Sequence, residues 1–304
     1  MIKSPLTLID DIFIPSIRAL EAKRLRELHM SQTKIAYLLG VSQPAVKQYL
    51  DEDENVYYKR LLNLGLSKEE LDDFLEKLTQ LLLNGDSKQV MEYVSLTFLS
   101  NLSKLKFCKF HKMIDTEIPN DCEICRNFYK ENEEELIQLA LSMLQNEAVG
   151  QLIPQVLSNL AFAKSDAKNI DDVIAIPGRI TKIRNIPTPA SKPMWGGSKH
   201  LAKVLLNVMK NFPTIRSVMN IKYDEKVERV LKILNYSYKK VGPQDHADDD
   251  KIGNLISSAY DSYVDVIIHL GGKGLEPNAY IFGKDPLDVA KKVINIGIKY
   301  TEIS

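Results

Sequence analysis

Residues 32–50, QTKIAYLLGVSQPAVKQYL, constrain this 304-residue chain more than any other stretch. Ala36 falls where two crossing helices need a small side chain. Gly40 follows four residues later, where a turn needs positive φ, and Val46 six residues after that, as an apolar plug. Ile35, Leu39, Val41 and Tyr49 fill the other inward positions at helical spacing. Ser42 is placed to cap the second helix, with Pro44 in its first turn, where a missing N–H costs nothing. The spacing predicts two short helices joined by a tight turn. It leaves Ser42, Gln43, Ala45, Lys47 and Gln48 at the outer surface of the second helix as candidate DNA contacts. Gln can bond an adenine edge, Lys can reach guanine or phosphate, and Ala can touch a thymine methyl. The alternative is a helical module that binds protein, or nothing.

Upstream, Ile17, Leu20, Leu25 and Leu28 mark an amphipathic helix whose Arg18, Lys23, Arg24 and Arg26 suit phosphate contact. The region resembles the helix-turn-helix domains of prokaryotic repressors over roughly 40 residues. The resemblance implies a double-stranded DNA operator as partner. Net charge does not oppose it. The 40 basic and 40 acidic residues cancel, which excludes a chain that coats nucleic acid but allows one small DNA-binding head. No apolar run approaches the ~18 residues of a membrane span, and the N-terminus lacks a signal-peptide core. A soluble, cytoplasmic protein is expected.

The periodicity predicts a multidomain chain: an all-α head at 1–55, a helical middle region at 56–149, and an α/β domain at 150–304. Middle helices are expected over 67–84, 87–105 and 133–147. Their apolar faces exceed what one small head can cover, so a homodimer is expected. Between them, Cys108-x2-His111 and Cys122-x2-Cys125 form two tight ligand pairs that use every cysteine of the chain. Four such ligands with no open position suit structural zinc. The alternative is three reduced core cysteines and an exposed histidine.

After residue 150, strands are expected at 156–163, 179–184, 215–222, 234–239, 264–270 and 279–283. Helices are expected near 198–211, 225–232, 250–260 and 286–299, giving strand–helix alternation. Three stretches have the look of a binding site. Ile176-Pro177-Gly178-Arg179 enters a strand. Gly196-Gly197-Ser198-Lys199-His200 opens a helix, a natural phosphate seat. His269 ends a strand that runs into Gly271-Gly272-Lys273-Gly274, where the backbone can approach a ligand.

Taken together, the IPGRI stretch, the GGSKHLAKVLL helix, the IRSVMNIKY strand and DVIIHLGGKGLEPNAYIFGKDP make residues 150–300 similar to the ThiN-type domain. That family joins a phosphorylated aminopyrimidine to a thiazole phosphate, making thiamine phosphate and releasing pyrophosphate. The resemblance implies a mixed sheet with flanking helices. It also implies thiamine phosphate or diphosphate as ligand, held by Arg179, Gly196, Gly197, Ser198, Lys199 and His200, with His269, Gly271, Gly272 and Lys273 closing the pocket. Asp245, His246 and Asp248 are candidates for the cationic ring, or equally a solvated acidic turn. The segment Val241–Lys251 lacks the arginine that the enzymes carry there. A departing pyrophosphate needs such a cation. A DNA-binding head joined to such a domain resembles the archaeal thiamine-responsive repressors. The sequence therefore predicts a thiamine-sensing transcriptional repressor with an impaired, non-catalytic ThiN-like domain. The competing reading is an active thiamine-phosphate synthase with a DNA-binding appendage. A third is a C-terminal half that mainly dimerises.

Overall fold

The computed structural model describes residues 4–84, 86–129, 132–243, 249–261 and 264–303. The chain forms two compact units, Met1–Glu131 and Asn132–Ser304.

The first unit is helical: α1 (Ile14–Glu27), α2 (Gln32–Leu39), α3 (Gln43–Asp51), α4 (Glu54–Leu64), α5 (Lys68–Asn84), α6 (Ser87–Ser103) and α7 (Cys108–Ile114). Helix α1 packs against α2, α3, α4 and α5. It therefore buries more than one stripe: Ser16, Ala19, Glu21 and Ala22 are covered along with Ile17, Leu20 and Leu25, while Leu28 is exposed. Gly40 adopts φ 62°, and Ile35 and Val46 are fully buried between α2 and α3. Phe13 lies 5.6 Å from Phe74 and 5.4 Å from Phe98, and Phe74 stacks on Tyr93 at 5.3 Å. This aromatic cluster closes the apolar faces of α5 and α6 within the unit. Helix α4 packs on both α1 and α5, so the first unit continues past residue 55, where a boundary was expected.

The second unit begins with α8 (Glu133–Met143) and α9 (Glu147–Gly150). Its strands are β1 (Leu160–Ala163), β2 (Val173–Ala175), β3 (Ile180–Ile183), β4 (Ile186–Pro189), β5 (Met194–Trp195), β6 (Ser217–Lys222), β7 (Tyr238–Val241), β8 (Val266–His269) and β9 (Asn278–Gly283). The remaining helices are α10 (Lys199–Met209), α11 (Glu225–Ile233), α12 (Asp249–Ala259) and α13 (Pro286–Glu302). Seven strands form one mixed sheet, ordered β5-β2-β1-β6-β9-β8-β7, with only β7 and β8 parallel. β3 and β4 form a separate hairpin. Helices α10 and α12 cover one face through Leu201, Val204, Leu205, Val208 and Ile256. Helix α13 lies on the other, with α8, α9 and α11 against it. The expected boundary at 149/150 falls instead at 131/132, because the buried Ile137, Ala140 and Met143 of α8 belong to this second core.

β7 ends one side of the sheet and is held there by charge. The Glu228 carboxylate of α11 accepts from Lys240 Nζ at 2.6 Å, Tyr223 Oη at 2.6 Å and Tyr238 Oη at 2.9 Å. Lys240 and then Tyr223 hold its carboxyl down at about 2. A carboxyl depressed on folding stabilises the native state above its unfolded value, and that contribution fades as pH falls towards the folded value. Glu228→Gln should lower stability at pH 7 by on the order of 1 kcal/mol. Urea midpoints of variant and parent should converge below pH 4. An equal gap at pH 7 and pH 3 would contradict this role. Among the described residues, no helix is long and apolar enough to cross a membrane.

Candidate active site

The site begins with asparagines buried inside the sheet. Asn220 of β6 accepts the Asn159 N–H at 2.8 Å, and donates to the Leu157 carbonyl at 3.1 Å and to Asn278 Oδ1 at 3.3 Å. Asn159 in turn takes both backbone groups of Ile176, accepting its N–H at 3.0 Å and donating to its carbonyl at 2.9 Å. Asn278 of β9 stands opposite His269 of β8 in the ladder. This amide chain joins the 176–179 turn to the end of β8. The loop beyond β8 is tied to the same place. Glu276 accepts the N–H groups of Gln155 and Val156 at 3.2 and 3.0 Å, and Arg179 donates to the Val156 carbonyl.

The third stretch arrives through α10. His200 Nε2 and Tyr280 Oη of β9 are 3.0 Å apart, and His200 also lies close enough to His269 to act on its charge. All three predicted stretches therefore meet at one end of the sheet, around the start of α10. His269 is 2% exposed, and its Nδ1 accepts the Gly271 N–H at 3.1 Å. An imidazole that accepts at Nδ1 carries its proton at Nε2 when neutral. Burial, and then His200, push the His269 ring below the usual histidine range, so the neutral form prevails near pH 7. Its Nε2 is buried with no partner among the described residues. The result is a fixed N–H donor with no acceptor among the described residues.

The phosphate seat needs a correction in detail. The Gly196 and Gly197 amides are already spent on the Val173 and Met194 carbonyls, at 2.9 and 3.1 Å. A Cβ at Gly197 would stand 2.4 Å from the Ala175 carbonyl oxygen, so this glycine serves close packing on β2. Ser198 caps α10 by accepting the Leu201 N–H at 3.4 Å. The helix therefore presents the amides of Ser198, Lys199 and His200 rather than those of the two glycines. Lys199 and Lys273 are exposed. Gly271 adopts φ 75°, and a side chain there would meet the Leu275 carbonyl oxygen at 2.4 Å. Gly272 pairs with Leu275 across the loop. Asp245, His246 and Asp248 lie outside the described residues.

In the first unit, Cys108 and His111 lie on α7, while Cys122 precedes, and Cys125 lies within, a short 3₁₀ turn, Ile124–Asn127. Burial, and then the two other thiols, push Cys125 up to about 11. The Cys108 and Cys125 thiols are free and hydrogen-bonded to each other. Among the described residues no group of three or more His, Cys, Asp or Glu side chains is placed to hold a metal ion. The expected zinc ligands Cys108, His111, Cys122 and Cys125 line one pocket but are not gathered as a metal-binding group, so the zinc centre has no support here. Of the predicted DNA contacts, Ser42 accepts the Ala45 N–H at 3.3 Å as the cap of α3, and Gln48 donates to Glu52 at 2.8 Å. Gln43 and Lys47 are exposed and Ala45 is half-buried. Lys23, expected on phosphate, donates to the Leu50 carbonyl at 3.1 Å.

Residues 137–295, a little over half the chain, match the family described as thiamine-phosphate synthase ThiN. The chain belongs to the ThiN family. It is 33% identical over 181 residues to the thiamine-phosphate synthase ThiN of Methanothermobacter thermautotrophicus, covering 56% of this chain and 95% of that relative. It is also 33% identical over 155 residues to the bifunctional thiamine biosynthesis protein ThiDN of Methanocaldococcus jannaschii, covering 47% of this chain and 35% of that one. A crystal structure of the C-terminal domain of phosphomethylpyrimidine kinase overlays with a TM-score of 0.49 at 25% identity, covering 54% of this chain and 97% of that domain.

The ThiN match overturns the repressor reading. Both curated relatives are named for thiamine biosynthesis, one of them as the synthase itself along almost its whole length. The relatives' names point to an enzyme, and the prediction of a non-catalytic, DNA-binding transcriptional regulator does not stand. Small-glycine-apolar spacing reports how two helices cross, which any helical bundle needs. The missing arginine was equally weak ground, because Lys199 and Lys273 supply cations on the predicted stretches.

Proposed function

We propose that this chain is a thiamine-phosphate synthase, joining a phosphorylated aminopyrimidine to a thiazole phosphate with loss of pyrophosphate. Identity to a named synthase across 95% of that protein's length supports the reaction class. The observation that carries the site is the unpartnered Nε2 of His269, buried beside the glycine loop and the first turn of α10. In this reaction the thiazole nitrogen displaces pyrophosphate from the methylene carbon of the pyrimidine. Negative charge gathers on the departing oxygen. Fixed donors in a water-poor site stabilise such charge most. His269 supplies one donor at Nε2. The amides of Ser198, Lys199 and His200, at the positive end of an 11-residue helix, bind phosphate oxygens. Tyr280 orients His200, and Lys199, Lys273 and Arg179 add positive charge at the rim. Thiamine phosphate is then the product released here.

The purified chain, supplied with both phosphorylated precursors, should yield thiamine phosphate identifiable by mass spectrometry. Absence of product under conditions where the Methanothermobacter synthase turns over would remove this reading.

A further inference from the structure

The first unit holds a cavity of about 540 Å³ lined by α1, α2, α5 and α6, well apart in sequence from the ThiN match. Its walls are apolar: Ile17, Leu39, Leu78, Leu82 and Val94 all face it. One wall residue is Glu21, 1% exposed, on the central helix. Such a volume suits a small organic molecule. A carboxyl in an apolar wall is costly unless something uses it.

The hydrogen bonds define what Glu21 offers. Thr79 Oγ1 lies 2.9 Å from both Glu21 Oε2 and the Leu75 carbonyl oxygen. A hydroxyl has one proton and a backbone carbonyl can only accept, so Thr79 donates to Leu75 and a protonated Glu21 donates to Thr79. Burial pushes the Glu21 carboxyl up to about 8, which keeps that proton in place at neutral pH. Oε1 is then a carbonyl-type oxygen, buried and without a partner among the described residues. It can only accept. Arg18 also lines the cavity and Arg24 acts on Glu21, which disfavours a cationic guest.

We propose that this cavity is a binding site for a neutral, mainly apolar ring compound that carries one N–H or O–H donor, received by Glu21 Oε1. Glu21 sets the specificity and the aliphatic walls supply the affinity. The site is independent of the synthase reading.

The test uses the full chain and two probes, 1-naphthol and naphthalene, which differ by a single O–H donor. Ligand-observed NMR should show 1-naphthol binding about tenfold more tightly than naphthalene, the size of one buried hydrogen bond. Glu21→Gln, which keeps an acceptor oxygen, should retain the preference. Glu21→Leu should bind both probes alike. Should that variant fail to fold, Met91→Trp at the exposed mouth should exclude both probes without disturbing the core, since Met91 is 66% exposed. Equal affinity of the parent chain for the two probes, no binding of 1-naphthol, or undiminished binding to Met91→Trp would each overturn the proposal.

Discussion

His269→Ala should lower thiamine phosphate formation by roughly 10²-fold, with most of the loss in kcat. The reasoning rests on which nitrogen carries the proton. The Gly271 N–H occupies Nδ1, so the neutral ring presents N–H at Nε2, and none of the described residues receives it. A donor held ready for charge that develops only in the transition state acts on kcat more than on KM. Removing one such donor from a preorganised site costs roughly 10²–10³ in rate. His269→Gln restores an N–H at similar reach and should recover part of the rate. The ring is neutral across the working range, so the parent's rate should not fall as pH rises from 7 to 8. A His269→Ala enzyme with unchanged kcat would place the chemistry elsewhere.

Asn220→Leu should be the most damaging change in the second unit that touches no ligand. Leucine nearly matches the volume, so little cavity forms. Three groups lose their partner together: the Asn159 N–H, the Leu157 carbonyl and Asn278 Oδ1. Each buried polar group left alone costs ~1–3 kcal/mol. Since these neighbours relax jointly, we expect about 3 kcal/mol in total and a fall in Tm of roughly 6–12 °C for a unit of this size. Activity should fall as well, because Asn278 and Asn159 fix the end of β8 and the 176–179 turn. Asn220→Asp, which keeps an acceptor for the Asn159 N–H, should be milder. Thermal unfolding that leaves Asn220→Leu within 1 °C of the parent would show that the amide chain is not structural.

Much of the second unit was legible because its apolar runs are short and its helices carry strong caps. Ser198, Asp224 and Asp285 each accept from the first turn of their helix. The strands that went unread are those whose residues disguise them. β4 contains Pro187 and Pro189, which argue against a strand, yet among the described residues it pairs only with β3 and tolerates them. Its hairpin turns on Arg184 and Asn185, both at positive φ, where Asn-Gly would have been the signal. β2 and β5 have three and two residues, too few for any period to show.

The site was half legible. Glycines and histidines announced its rim, and the structure gathers those stretches at one end of the sheet. The asparagines beneath were overlooked, although a polar amide interrupting the apolar runs of SNLAFA and SVMNIK was the available signal. Glu21 was hidden for a different reason. A helix read as half solvated has room for a glutamate, and only packing on four neighbours turns that glutamate inward. The regulator expectation failed at another level. It took a local rule for crossing helices as a statement about their target.

The central claim is that this chain makes thiamine phosphate. Initial-rate measurements on the purified 304-residue chain with both phosphorylated precursors test it most directly, following thiamine phosphate and pyrophosphate in the same reaction. The account predicts that the two products appear in equal amounts, at a rate proportional to protein concentration. Binding of either precursor with no pyrophosphate released over many hours would contradict it.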